Sequence, residues 1–226
     1  MLPSIEAAFA SMDGMKNAEC YAPWGFYQSA SSTASTGLIE LPASFGYLAA
    51  MGIASQNNPS WLAVAGVNRG VIPNIDHLSV SVTEAEANLV QPTDEVAINA
   101  ICNIRPYGLI IWGNRTLFKN VEGLVASSFA NIRQGVNDSK KTLYVASKRL
   151  MFEQNSDILW INFKSLITPL LDKMVSGEGI TSYKIYKQAT TTKATLKALI
   201  KIYPIEAVES FDLTVELSDM GSEVVE

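Results

Sequence analysis

The sequence predicts an α/β (α+β) fold: a mixed sheet flanked by helices, with a C-terminal β-hairpin and a terminal arm. Three observations carry that prediction. The chain has 226 residues of which 48% are hydrophobic, enough for one core that buries roughly 70% of the unfolded surface. Segments with helical spacing of apolar residues alternate with segments of period 2, the mark of helices and strands in one domain. Apolar runs such as YGLIIW are far too short to cross a bilayer of about 30 Å, and MLPSIEAAFA lacks the basic start of a cleaved signal. A soluble protein without membrane insertion is the expectation.

Taken in order, Ser4 to Met12 has the spacing of a short amphipathic helix, and CYAPWGFY reads as a strand interrupted at Pro23. Residues 29 to 37, SASSTASTG, form a low-complexity loop. PASFGYLAAMGIAS, residues 42 to 55, sets small residues and aromatics at helical spacing, so a packed helix is expected there. HLSVSVT is a strand. Thr83 and Glu86 make a capping box that opens a short helix. AINAICNI and GLIIWG, on either side of RPY, read as buried strands. A helix is expected over 134 to 149 with Val136, Leu143, Ala146 and Leu150 inward. Asn155 or Ser156 caps a further helix with the stripe Leu159, Phe163, Leu166, Leu170 and Met174, kinked at Pro169 and ended by Ser176-Gly177.

The last third is all strand: TSYKIYKQ, then TLKALIKIY, a turn at Pro204, and VESFDLTVEL. Phe211, Leu213, Val215 and Leu217 alternate with Asp212, Thr214 and Glu216. Paired with TLKALIKIY in a hairpin, this strand would set Asp212 and Glu216 against Lys197 and Lys201. A good strand so near the end, followed only by the charged residues 218 to 226, leaves an edge that another chain can capture.

The chemistry is sparse. Net charge is −5, and no basic stripe of the kind that neutralises phosphates occurs, which argues against nucleic acid. Cys20 and Cys102 are far apart, without CxxC spacing, and read as reduced thiols. His77 is the single histidine and reads as a loop residue; adjacency alone does not let Asp76 orient its ring as a triad acid would. No nucleophile elbow, phosphate loop, dinucleotide turn or zinc-binding HExxH helix is present. The expectation is no enzyme, no metal and no cofactor. A small α/β enzyme or ligand-binding domain built from ordinary residues is the alternative.

Seven pieces in order carry a resemblance: WLAVAGVNRGVI; VSVT with its acidic short helix; IRPYGLIIWGNRTL; FANIRQ; FEQNSDILW with the apolar helix; GITSYKIY; and IYPIEAVESFDLTVEL. Over residues 59 to 217 they resemble the C-terminal half of contractile tail sheath proteins of phages and phage-like contractile injection systems. That family reads roughly PAGxxRGV, then an arginine, a glycine and an aliphatic run into WGxRT, an NxR strand, FEPN before a Trp-containing helix, and a proline-led terminal strand. The strongest piece is WGNRTL, with Trp112, Gly113, Arg115 and Thr116. Gln154 stands where the family usually has proline, and family members are much longer at the N-terminus. Residues 1 to 58 then form an N-terminal segment of a minimal subunit, a truncated or split gene product, or a deliberately shortened one.

The resemblance implies a structural subunit that polymerises as stacked hexameric rings around an inner tail tube and contracts to drive the tube through the target cell envelope. Its location would be a virion tail assembled in the host bacterial cytoplasm. Implied partners are copies of itself, the tube protein, baseplate and terminator proteins, and a second sheath chain supplying the missing N-terminal arm. A tube or baseplate role is disfavoured by the WGxRT and FEPN-like pieces. The expected intersubunit strand is Phe211, Asp212, Leu213, Thr214, Val215, Glu216 and Leu217. Some of Arg69, Arg105, Arg115 and Arg133 are expected in intersubunit salt bridges, although as residues they read equally as turn and edge arginines. Trp112 and Trp160, in apolar runs, read as core anchors.

Overall fold

The computed structural model describes residues 15–29, 37–92, 96–118, 124–189, 194–207 and 209. The expected helix at Ser4 to Met12, the strand at 210 to 217 and the tail at 218 to 226 lie outside them, as does most of the low-complexity loop. In order the elements are β1 (Tyr21–Ala22), β2 (Gly25–Gln28), β3 (Leu38–Leu41), α1 (Ala43–Asn57), the single turn α2 (Gly66–Arg69), β4 (Ile75–Leu78) and α3 (Glu84–Leu89). There follow β5 (Asn99–Ile104), β6 (Gly108–Trp112), α4 (Ala130–Ser147), α5 (Asp157–Ser176), β7 (Ile180–Gln188) and β8 (Lys197–Pro204).

Helices and a mixed sheet make this an α+β fold. The mixed sheet runs β1-β5-β6, with β1 parallel to β5 and β5 antiparallel to β6. β5 is covered on both faces, which is why AINAICNI is nearly all apolar. Ile101 joins a core with Ile111, Tyr27, Ile72 and the α1 residues Tyr47 and Ala50, while Ala100 and Cys102 pack with Ala87 of α3. The Thr83–Glu86 capping box that starts α3 is present on both sides. CYAPWGFY breaks at Pro23 as expected, and the break sends its two strands into different sheets, since β2 lies between β3 and β4.

Several expectations need correction. α1 is not packed all round: Ala43, Gly46, Tyr47, Ala50 and Ala54 are buried, but Phe45, Leu48 and Ile53 are exposed. HLSVSVT forms a strand only to Leu78, after which the Ser79 N–H still donates to the Trp24 carbonyl at 2.9 Å. His77 therefore sits on a strand, where its ring stacks on Phe26 with 4.4 Å between centroids. FANIRQ is not strand but the start of α4, which begins four residues before the expected 134. Its buried residues are Ala130, Asn131, Ile132, Gly135 and Ser139, and Gly135 is small because Trp61 fills the space opposite: a Cβ there would lie 2.9 Å from the Trp61 Cβ. Val136 and Ala146 are half-buried, and Leu143 and Leu150 pack against the second core.

α5 is capped by Ser156, whose Oγ accepts from the Leu159 N–H at 3.4 Å, and the helix runs through Pro169 to Ser176. Its buried stripe is Leu159, Phe163, Ile167, Leu171 and Met174, one residue on from the expected Leu166 and Leu170, which are half-buried. Steps of four, four and three follow the true helical period from Phe163. TLKALIKIY finds its partner in TSYKIYKQ: β7 and β8 form the C-terminal hairpin, with Tyr183 opposite Ile202 and Ile185 opposite Ile200. These four side chains pack against the α5 stripe. The outer face pairs Lys184 with Lys201 and Tyr186 with Leu199.

Candidate assembly surfaces and the WGNRT corner

β6 ends at Trp112, and the next residues turn a corner built almost wholly of satisfied polar groups. The side chain of Asn99, fully buried on β5, accepts from the Arg115 N–H at 2.7 Å and donates to the Arg115 carbonyl at 2.8 Å. Asn114 and Asn131 are joined twice: Asn114 Nδ2 donates to Asn131 Oδ1 at 2.7 Å, and the Asn131 N–H donates to Asn114 Oδ1 at 3.1 Å. Asn131 Nδ2 reaches on to the Trp61 carbonyl at 2.9 Å, and Thr116 Oγ1 donates to the Ser127 carbonyl at 2.8 Å. Gly113 has no room for a side chain, since a Cβ would lie 2.7 Å from Asn99 Oδ1. Buried polar groups are costly unless paired, and here they weld β5, β6 and α4 into one unit.

The four arginines are placed quite differently from one another. Arg69 is half-buried, donates through Nε to the Ala63 carbonyl at 2.8 Å, and lines an open cleft of about 560 Å³ with Met51, Leu62, Asp138 and Lys141. Arg105 is exposed in the β5–β6 turn beside Pro106 and Tyr107, where Gly108 supplies the positive φ of 92° that the turn requires. Arg133 donates from Nη2 to Asn17 Oδ1, and its buried Nε has no partner among the described residues. Arg115 is 5% exposed and sits 5.1 Å from the Phe129 ring centroid. Its guanidinium holds the carboxylate of Glu209 through two bonds, Nε to Oε1 at 2.9 Å and Nη2 to Oε2. An intersubunit bridge through Arg115 would have to break this pairing.

The hairpin is the other surface of interest. Among the described residues β7 and β8 pair only with each other, so each has an outer edge whose ladder groups are unpaired. Lys184, Lys197 and Lys201 stand on its outer face, with the Lys201 ammonium 5.9 Å from the Tyr186 ring centroid. On the inner side Lys187 bonds Asp157 at 2.9 Å.

Among the described residues no three histidine, cysteine or carboxylate side chains gather as metal ligands. His77 Nδ1 lies 2.8 Å from Asp76 Oδ2 in an exposed pair. Burial pushes the Cys102 thiol up to about 11, with Glu84 adding to the rise, and burial raises Cys20 as well. Such thiols are protonated and unreactive at neutral pH. Trp112 donates Nε1 to Asn88 Oδ1 at 3.0 Å, and Trp160 stacks on Phe163; both are half-buried and packed on core clusters. Sequence reasoning missed Asn99, Asn131, Trp61 and Glu209. Asn99 had a usable signal, a polar side chain inside an apolar strand, which demands a partner. Glu209 had none, because its partner is 94 residues away.

No family model matches the chain. In sequence it is 26% identical over 132 residues to the tail sheath protein of Vibrio phage KVP40, a stretch covering 58% of this chain and 18% of that protein. In fold it is similar to a chain of the contracted sheath complex of an extracellular contractile injection system (PVC), with TM-score 0.76 and 18% identity, over 97% of this chain and 61% of that one. A chain of the anti-feeding prophage baseplate matches with TM-score 0.71 and 17% identity, over 94% and 63%. The helical sheath of the same particle, contracted, matches with TM-score 0.69 and 18% identity, over 88% and 55%. The chain thus spans 18% of the length of its curated relative and 55% to 63% of these solved chains. Along nearly its whole length it has the fold found in contractile sheath assemblies.

Proposed function

We propose that this chain is a structural subunit of a contractile tail sheath, which polymerises with copies of itself as stacked rings around an inner tube and shortens to drive the tube through a target envelope. The observation that carries the proposal is the β7–β8 hairpin, open along both edges among the described residues and followed in sequence by the alternating apolar and polar residues Phe211 to Leu217. A neighbour's strand added to such an edge gains ladder bonds of about 0.5 to 1.5 kcal/mol each, so several together hold subunits while each domain turns as a rigid body. Asp212 and Glu216 on that strand match the lysines of the hairpin's outer face in sign. The likeness to a phage tail sheath protein and the shared fold support the same reading.

The proposal extends to partners and place. The tube protein and the baseplate are the partners, and a virion or injection-system tail assembled in the bacterial cytoplasm is the location. Arg69, Arg105 and Arg133 remain as intersubunit charge contacts, Arg105 by exposure and Arg133 by an Nε that has no partner among the described residues. The test is negative-stain microscopy of the unaltered protein, of a variant lacking residues 206 to 226, and of Leu213→Pro, which removes a ladder donor. Striated cylinders or helical polymers are expected from the first and folded, unassembled particles from the other two. Normal polymers from both altered proteins would sink the connector role, and discrete particles from the unaltered protein would sink the sheath reading.

A further inference from the structure

After β8 the chain does not simply leave the domain. The Ile205 N–H donates to the Gly179 carbonyl at 3.3 Å, and four residues later Glu209 is held in two bonds by Arg115. Arg115 belongs to the other half of the molecule. Its own backbone is gripped on both sides by Asn99 of β5, and Phe129 flanks its guanidinium. A guanidinium whose side chain is only 6% exposed needs a carboxylate beside it, and the two-pronged contact fixes direction as well as position. We propose that Arg115 is the positioning residue for the C-terminal arm: it receives Glu209 and so makes the mixed sheet, not the end of the hairpin, the point from which residues 210 to 217 set out.

The consequence is a change of reach. Measured from Glu209, the eight residues to Leu217 span at most about 26 Å fully extended. Measured from Pro204, thirteen residues would span about 43 Å. A shorter, fixed tether raises the effective concentration of the strand at any docking edge within range and excludes edges beyond it. The anchor also passes tension on the arm to β5 through Asn99 and spares the two-stranded hairpin. The inference about reach rests on the connector reading above; the anchoring itself does not.

The experiment reads the anchor in unassembled protein, at a concentration below that at which polymers form. Hydrogen exchange is followed in the peptide covering residues 203 to 210 for the unaltered protein, Glu209→Gln, Arg115→Met and the double variant. Loss of a charged hydrogen-bonded pair is expected to speed exchange there by about tenfold or more in each single variant, with no further increase in the double. Unchanged exchange in Glu209→Gln, or effects that multiply in the double variant, would overturn the anchor. Arg115 is buried, so if Arg115→Met does not fold, Glu209→Gln and Glu209→Lys decide by themselves: faster exchange in both supports the anchor, no change in either defeats it. Because no polymer is measured, failure here is distinguishable from failure of the connector, which is read by Leu213→Pro with Glu209 still in place.

Discussion

Tyr21, Tyr47 and Glu19 show how single side chains couple the N-terminal strand to two helices. The Tyr21 and Tyr47 rings stack with 4.2 Å between centroids; Tyr21 donates its hydroxyl to Glu19 Oε2 at 2.5 Å, and Gln134 of α4 donates to the Tyr47 hydroxyl oxygen. Burial, then the nearby Glu19 charge, pushes Tyr47 up to about 12 and Tyr21 well above its usual 10. A tyrosine whose folded pKa is raised keeps its proton in the native state after the unfolded chain has lost it. Its stabilising contribution is therefore complete below about pH 10 and falls as pH rises from there towards 12. Stability is expected to be level up to about pH 9, to begin to fall there as the thiols of Cys20 and Cys102 ionise in the unfolded chain, and to drop more steeply above pH 10, where each tyrosine adds about 1.4 kcal/mol per pH unit. Thermal melts from pH 8 to 12 check this, and Tyr47→Phe should flatten the drop by about half. A melting temperature that stays level to pH 12 would show that these hydroxyls are not held as described.

At the scale of elements, the hairpin is the one that carries a visible internal conflict. Its inner face is bound to α5 through Tyr183, Ile185, Ile200 and Ile202, whereas its outer face sets Lys184 directly opposite Lys201. Like charges facing across a ladder are destabilising, so Lys184→Glu should stabilise the unassembled protein by about 0.2 to 1 kcal/mol in urea unfolding. The same change should weaken polymerisation, because it removes one of the lysines offered to an acidic strand. A variant that is destabilised would show that the outer-face pairing is not as described. α1 carries a related burden: it has no charged residue, and with Phe45, Leu48 and Ile53 exposed it turns an apolar face outward as well as inward.

For the whole molecule the distribution of charge matters more than its total. After Lys201 every charged residue is acidic, from Glu206 through Asp212 and Glu216 to Glu226, whereas the outer face of the hairpin carries Lys184, Lys197 and Lys201. Complementary charges on opposite parts of one chain favour head-to-tail contacts between copies, the arrangement that generates rings and helices. Polymerisation is accordingly expected to weaken as salt rises from about 0.05 to 0.5 M, with the fold intact, since exposed charges are screened over about 10 Å at 0.1 M and less at higher salt. Sedimentation of polymer against salt, with circular dichroism alongside, measures both. Polymer yield that does not respond to salt would assign the contact to apolar packing and ladder bonds alone.

Local pattern was enough wherever a short range of residues decides the outcome. The Thr83–Glu86 capping box, the break at Pro23, the helix after Ser156 and the buried strands around RPY all follow from neighbours within a few positions, where propensity, capping and periodicity act. The succession of seven motifs likewise pointed to the sheath fold before any contact was known. Tertiary structure decided the rest. FANIRQ opens on a bridge between Phe129 and Arg115 and continues as helix from Ala130, and α4 faces Trp61 with Gly135, where a side chain would not fit. TLKALIKIY took TSYKIYKQ as its partner because Tyr183, Ile185, Ile200 and Ile202 close a core over α5 that neither strand closes alone. Arg115, Asn99 and Glu209 read as unconnected polar residues along the chain; burial of the guanidinium is what forces them together, and burial is a property of the folded volume, not of any short stretch.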